Sequence, residues 1–308
     1  MDQCQSSNRA TRARRASIPL VACAALFLGG AAPALAQATA NALVPAQAPA
    51  KEALAPINDT HLWYWDTGGD GAPVVLLHPA SGSGLIWGYQ QPALVKAGYR
   101  VIGYSRRSYY NSDAMAKDHP GTGSGDLHAL VELLGLKKFS IVASAAGGSI
   151  AADYALSHPE RLAGLVIADN AAGARDGDIA KAAANIRTKG FDDMPVEFRE
   201  LGASYRAANP EGARLWTELA HKAVTGGEFR QQVANEITTA RLEAMPVPTL
   251  LITGDADLIT PPSIMRMLAQ HIRGSEMTIV AESGHSTYWE QPDIFNRAVL
   301  GFLGKLGK

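Results

Sequence analysis

Short apolar runs alternate with helix-length amphipathic stretches through most of this chain, and the alternation sets its architecture. His61–Tyr64, Val74–Leu77, Arg100–Tyr104, Phe139–Val142, Leu162–Ala168, Thr249–Thr253 and Met277–Val280 read as strands. Between them, Trp87–Lys96, Gly125–Leu134 and Ser149–Ser157 have helical spacing. Such alternation predicts right-handed βαβ units and a mostly parallel sheet flanked by helices, an α/β fold. From about Ala172 to Met245 the rhythm changes. No strand pattern stands out there, and amphipathic stretches lie around Ile179–Arg187, Pro195–Arg206, Ala213–Val224 and Phe229–Leu242. A helical cap over residues 172–245 is expected, inserted into a core made of 59–171 and 246–308. Its apolar faces would wall a pocket above the strand ends, where open α/β sheets bind ligands.

The first residues follow a different logic. Arg9, Arg12, Arg14 and Arg15 precede an apolar stretch from Ile18 to Leu28, and Ala34–Leu35–Ala36 supplies small residues for cleavage. Residues 1–36 therefore read as a cleavable export signal, placing the mature protein in the periplasm or outside the cell. The apolar stretch is too short for a membrane span, so no stable anchor is expected after cleavage. Residues 37–58, rich in Ala and Pro, read as a tether.

Composition changes this picture little. The 308 residues are 47% hydrophobic and 19% charged, with formal net charge −1. Loss of residues 1–36 removes four arginines and Asp2, leaving a mature net charge of −4. No basic patch points to nucleic acid. Both cysteines, Cys4 and Cys23, lie in the signal, so the mature chain has no thiol, disulfide or cysteine metal ligand. Neither a metal nor a cofactor is expected.

The chemistry concentrates in a few segments. Ser140 to Ile150 runs from an apolar strand through small residues into a helix, the layout of a G-x-S-x-G nucleophile elbow. Here the five positions are Ala143–Ser144–Ala145–Ala146–Gly147, so a methyl group stands where a nucleophile is usual. Val75–Leu77 leads into His78–Pro79–Ala80, His158–Pro159–Glu160–Arg161 follows the elbow helix, Gly254–Asp257 follows a strand, and Ser283–Gly284–His285 follows the last strand. In this order the segments resemble the α/β-hydrolase fold family of the cap-bearing type, over about His61 to Leu303.

That resemblance assigns roles. His285 is the expected base, oriented by Asp257, with Asp255 and Asp169 as rival acids. The oxyanion-hole donors would be the N–H groups of Ala80 and Ala146, because Pro79 has none. Arg106 or Arg107 is expected to hold loop carbonyls and carboxylates. Trp87, Tyr109, Ser144 and Tyr288 are candidate substrate contacts, with Trp289 as a further aromatic. Ser81 and Ser83 are remote substitutes for the missing serine, whereas the Ser144 hydroxyl should face away from His285.

Three readings of Ala145 are open. A serine has been replaced, or a native enzyme works without a covalent nucleophile, or the fold serves as a periplasmic ligand-binding protein. The expected function is that of an exported hydrolase acting on a small or medium, ester-like carbonyl substrate, with a His/Asp base pair. Cofactor-independent lyase or dioxygenase-type chemistry is the alternative on the same fold.

Overall fold

A computed structural model describes residues 44–225 and 231–307. The expected signal lies in residues 1–36, outside the described residues. Eight strands form one sheet: β1 (Lys51–Ile57), β2 (Thr60–Asp66), β3 (Pro73–Leu77), β4 (Arg100–Tyr104), β5 (Phe139–Ser144), β6 (Leu162–Ala168), β7 (Thr249–Gly254) and β8 (Glu276–Val280). Their order is β1-β2-β4-β3-β5-β6-β7-β8. The β1–β2 and β2–β4 pairs are antiparallel, and all the others are parallel.

β1 corrects the expected tether. Lys51–Ile57 pairs residue for residue with β2 across a tight turn in which Asn58 takes φ +46°. Only Ala55 and Ile57 are buried, so the segment has too few large apolar residues to announce itself as a strand. Pro56 fits at the sheet edge, where its missing N–H breaks no inner ladder.

Alternation along the inner strands builds two cores. Ile141 and Ala143 of β5 face one side, packed with α2 (Gly123–Leu133) and α3 (Ala146–Ser157). Val142 faces the other, with α1 (Gln90–Lys96) and the C-terminal helix. The expected helix Trp87–Lys96 begins later than expected, at Gln90; Trp87 instead ends a short 3₁₀ turn, Gly84–Trp87.

Between β6 and β7 the described residues form α4 (Gly177–Ala184), α5 (Val196–Glu200), α6 (Ala203–Ala208), α7 (Pro210–Ala223) and α8 (Thr239–Glu243). The stretch Pro195–Arg206 is split at Leu201–Gly202, where the Gly202 N–H turns to the Glu290 carboxylate. The stretch Phe229–Leu242 lies partly outside the described residues, and among its described residues helix is confined to α8. Upstream, the N–H groups of Ala234 and Asn235 bind the Asp153 carboxylate at 2.8 Å each, which takes them out of any helical ladder. The chain ends through α9 (Pro262–His271), α10 (Thr287–Glu290) and α11 (Pro292–Lys305). No helix among the described residues is long and apolar enough to cross a membrane.

Candidate active site

The turn between β5 and α3 is held in a strained form. Ala145 sits at φ +46°, ψ −120°, a conformation that costs a non-glycine residue on the order of 1–3 kcal/mol. Its N–H donates to Ala168 O at 2.9 Å, and its carbonyl accepts from the Gly148 N–H at 2.8 Å. Gly147 is required by proximity: a Cβ there would stand 2.3 Å from Leu77 O. Small residues therefore let the elbow press against β3, and its central side chain is a methyl group.

His285 approaches from the loop after β8. Its Nδ1 lies 2.8 Å from Asp257 Oδ2, and both side chains are buried. The other Asp257 oxygen accepts the N–H groups of Ile259 and Thr260 at 2.7 and 2.8 Å. This carboxylate is thus oriented by backbone before it meets the ring. Of the rivals, Asp255 is exposed, and Asp169 spends Oδ2 on the Thr287 hydroxyl at 2.8 Å. Burial, reinforced by the Asp257 charge, raises the Asp169 pKa well above the ordinary carboxylate value. For His285, burial disfavours the charged ring, but the charge and hydrogen bond of Asp257, helped by Glu200 and Asp169, carry its pKa up to about 9.

The loop after β3 is pinned from behind. Arg106 donates to Pro79 O at 3.1 Å, and His78 Nδ1 reaches the same carbonyl at 2.7 Å. Because a trans peptide points its N–H opposite to its C=O, these contacts aim the Ala80 N–H away from Arg106. His78 Nε2 accepts the Arg106 backbone N–H at 3.1 Å. Burial and the adjacent guanidinium keep the His78 ring neutral, with its pKa well below the usual value. Neither the Ala80 nor the Ala146 N–H has a protein acceptor among the described residues, and Ala146 opens α3. Ala80 is exposed and Ala146 half-buried. Arg107 takes the carboxylates instead, pairing with Asp126 and Asp59 at 2.8 Å.

The aromatic candidates separate. Tyr109 is half-buried with its ring 4.7 Å from that of His78. Trp87 and Tyr288 are core residues, 1% and 0% exposed, and pack on each other at 5.1 Å. A groove of about 380 Å³ runs past Trp63, Trp65, Trp87 and Trp289, and none of Ala145, Asp257 or His285 lines it. Ser144 shares the Val142 face of β5, and its buried hydroxyl has no partner among the described residues. Ser83 caps the 3₁₀ turn that begins at Gly84. No group of three or more His, Cys, Asp or Glu among the described residues could hold a metal ion.

Two carboxylates at the site have no counterpart in the sequence reading. Glu290 accepts the N–H groups of Gly202 at 2.8 Å, Gly284 at 3.0 Å and Ser286 at 3.2 Å, tying the histidine loop to the inserted helices. Burial pushes its pKa up to about 7 despite those bonds. Glu200 accepts the Ser81 hydroxyl at 2.8 Å. Glu200 lies inside a helical pattern whose facing a single sequence does not reveal, and Glu290 ends the four-residue helix α10.

Comparison with known proteins identifies the fold and the family. The model of the alpha/beta hydrolase family matches residues 74–298. The chain is 27% identical to the AB hydrolase superfamily protein YisY of Bacillus subtilis (strain 168), over 76% of this chain and 92% of that protein. It is also 27% identical to the 2-hydroxy-6-oxononadienedioate/2-hydroxy-6-oxononatrienedioate hydrolase of Klebsiella pneumoniae, over 77% of this chain and 89% of the relative. Among solved structures, a thermophilic esterase from Thermogutta terrifontis superposes with a TM-score of 0.68 at 24% identity, covering 84% of this chain and all of that one. With a strained elbow at Ala145, and His285 and Asp257 on the loops after β8 and β7, the chain belongs to the alpha/beta hydrolase family.

Proposed function

We propose that the protein is an exported hydrolase that cleaves a small or medium, ester-like carbonyl substrate without forming a covalent intermediate. The observations that carry this reading are the 2.8 Å contact between His285 and Asp257 and an elbow that keeps its strained form around alanine. Only the hydroxyl is missing. Asp257 occupies Nδ1, so Nε2 is the ring nitrogen left to exchange a proton with substrate or water. The N–H groups of Ala80 and Ala146 are the donors that would stabilise a tetrahedral oxyanion, and both are free to do so among the described residues. Hydrolysis then proceeds by direct attack of water.

Family membership and the hydrolase relatives support the reaction class. The N-terminal signal pattern supports export. A panel of esters, thioesters and lactones, followed by product analysis, tests the chemistry. Turnover by the native protein, with His285→Ala reduced by about 100-fold or more, is expected. Equal turnover by the two proteins would remove the histidine from the reaction. Fractionation of the natural host, with sequencing of the mature N-terminus, tests export and cleavage after Ala36.

A further inference from the structure

Glu200 ends α5 and reaches across the site from the inserted helices. Its backbone carbonyl accepts the His285 N–H at 2.7 Å, and its Oε2 accepts the Ser81 hydroxyl at 2.8 Å. Ser81 directly follows the oxyanion donor Ala80, so this one residue bridges the histidine loop and the oxyanion loop. The segment is held in place a second time, because Glu290 binds the N–H groups of both Gly202 and Gly284.

The carboxylates around His285 differ in what remains free on them. Both oxygens of Asp257 and both of Glu290 are engaged. Asp169 has a free Oδ1, but that atom is sealed from solvent. Glu200 Oε1 has no protein donor among the described residues and is not sealed, although the residue is 91% buried. The groups around Glu200 include His285, Ser81, Arg199, Asp257 and Tyr288; those around His285 include Asp257, Glu200 and Asp169. Burial raises the Glu200 pKa above the ordinary carboxylate value, which makes it a better proton acceptor. The charge and hydrogen bond of Asp257, helped by Glu200 and Asp169, raise the His285 pKa above its usual value, which favours Nε2 as a proton donor.

We propose that Glu200 is a catalytic residue of this site, the base whose Oε1 takes a proton from the attacking water while His285 gives one to the leaving group. This rests on the hydrolytic reading above. The water oxygen bonds to the carbonyl carbon as its proton moves to Glu200, and the carbonyl π pair moves onto the oxygen facing Ala80 and Ala146. On collapse the bond to the leaving oxygen breaks, and that oxygen takes the proton from His285 Nε2. A carboxylic acid and an alcohol result. Transfer of the Glu200 proton back to the imidazole through water restores the site. Glu200 thereby supplies the step that a serine hydroxyl would otherwise begin.

The test is the pH–rate profile of the native protein, Glu200→Gln, Glu200→Asp and Ala145→Ser/Glu200→Gln on activated p-nitrophenyl esters. The native profile is expected to be bell-shaped, falling as His285 deprotonates near pH 9. Glu200→Gln should lose ~100-fold at pH 7 and keep only a limb that rises below pH 9, as His285 deprotonates with one carboxylate fewer beside it, with partial rescue by Glu200→Asp. The double variant should hydrolyse the esters, because serine then provides the nucleophile and His285 lacks one carboxylate holding its proton. A Glu200→Gln rate within a factor of about three of native at pH 7, or an inactive double variant, overturns the proposal. Native inactivity at every pH against esters that Ala145→Ser cleaves would instead remove the hydrolytic reading, and this proposal with it.

Discussion

Asp257 meets His285 at 2.8 Å with its other oxygen already committed to the N–H groups of Ile259 and Thr260. The acid is therefore fixed by its own turn, and the histidine is fixed by the acid. A group whose pKa rises on folding contributes stability that is complete below its unfolded value. That contribution is lost as the pH rises through the folded value. For His285 the window runs from about 6.5 to about 9. The shift corresponds to on the order of 3 kcal/mol. Asp257→Asn should accordingly destabilise the protein more at pH 6 than at pH 10, measured by denaturant unfolding at both.

Ala145→Ser should fold normally, since serine brings one extra atom to a backbone conformation that alanine already holds. Newly gained cleavage of activated esters with a burst of released alcohol is expected, the signature of an acyl-enzyme. No gain in ester cleavage by the folded variant would show that the His285 ring does not reach the elbow.

Ala145→Gly separates strain from chemistry. Glycine adopts φ +46° without the Cβ conflict, so the protein should gain about 1 kcal/mol of stability, read from denaturant unfolding. Gly147→Ala should do the opposite. Its Cβ would collide with Leu77 O, and a loss of about 3 kcal/mol is expected as β3 and α3 are forced apart.

Glu290→Ala leaves the N–H groups of Gly202, Gly284 and Ser286 without their acceptor. A loss of about 3 kcal/mol is expected from stranded donors. Faster amide exchange at Gly284 and Gly202 than in the native protein would locate the damage at the histidine loop.

Arg106→Met tests the oxyanion loop. The guanidinium holds His78 O and Pro79 O at 3.3 and 3.1 Å, so its removal frees the peptide that aims the Ala80 N–H. A fall of about 10- to 100-fold in kcat with little change in KM is expected, since this donor acts on the tetrahedral state rather than on the bound ester.

The sheet was largely legible because its inner strands are short apolar runs bounded by glycine and polar turns. The elbow, Asp257 and His285 were legible because each follows a strand and stands among small residues. What was hidden depends on a partner rather than on the segment's own pattern. β1 is a strand only because β2 lies beside it, and Pro195–Arg206 breaks at Gly202 only because Glu290 waits for its N–H. Glu200 had no signal at all: on an amphipathic helix, a glutamate facing solvent and one facing a histidine look alike in one sequence. Trp87 and Tyr288, apolar and near the right segments, were placed in the core by packing on each other.

The grip of Glu290 on both Gly202 and Gly284 also joins the base of the inserted helices to the histidine loop. Trp289 Nε1 on Gly212 O and Trp216 Nε1 on the Tyr288 hydroxyl extend the same tie to α7. Glu200 and His285 are thus kept in register by a network that starts on the loop carrying the histidine.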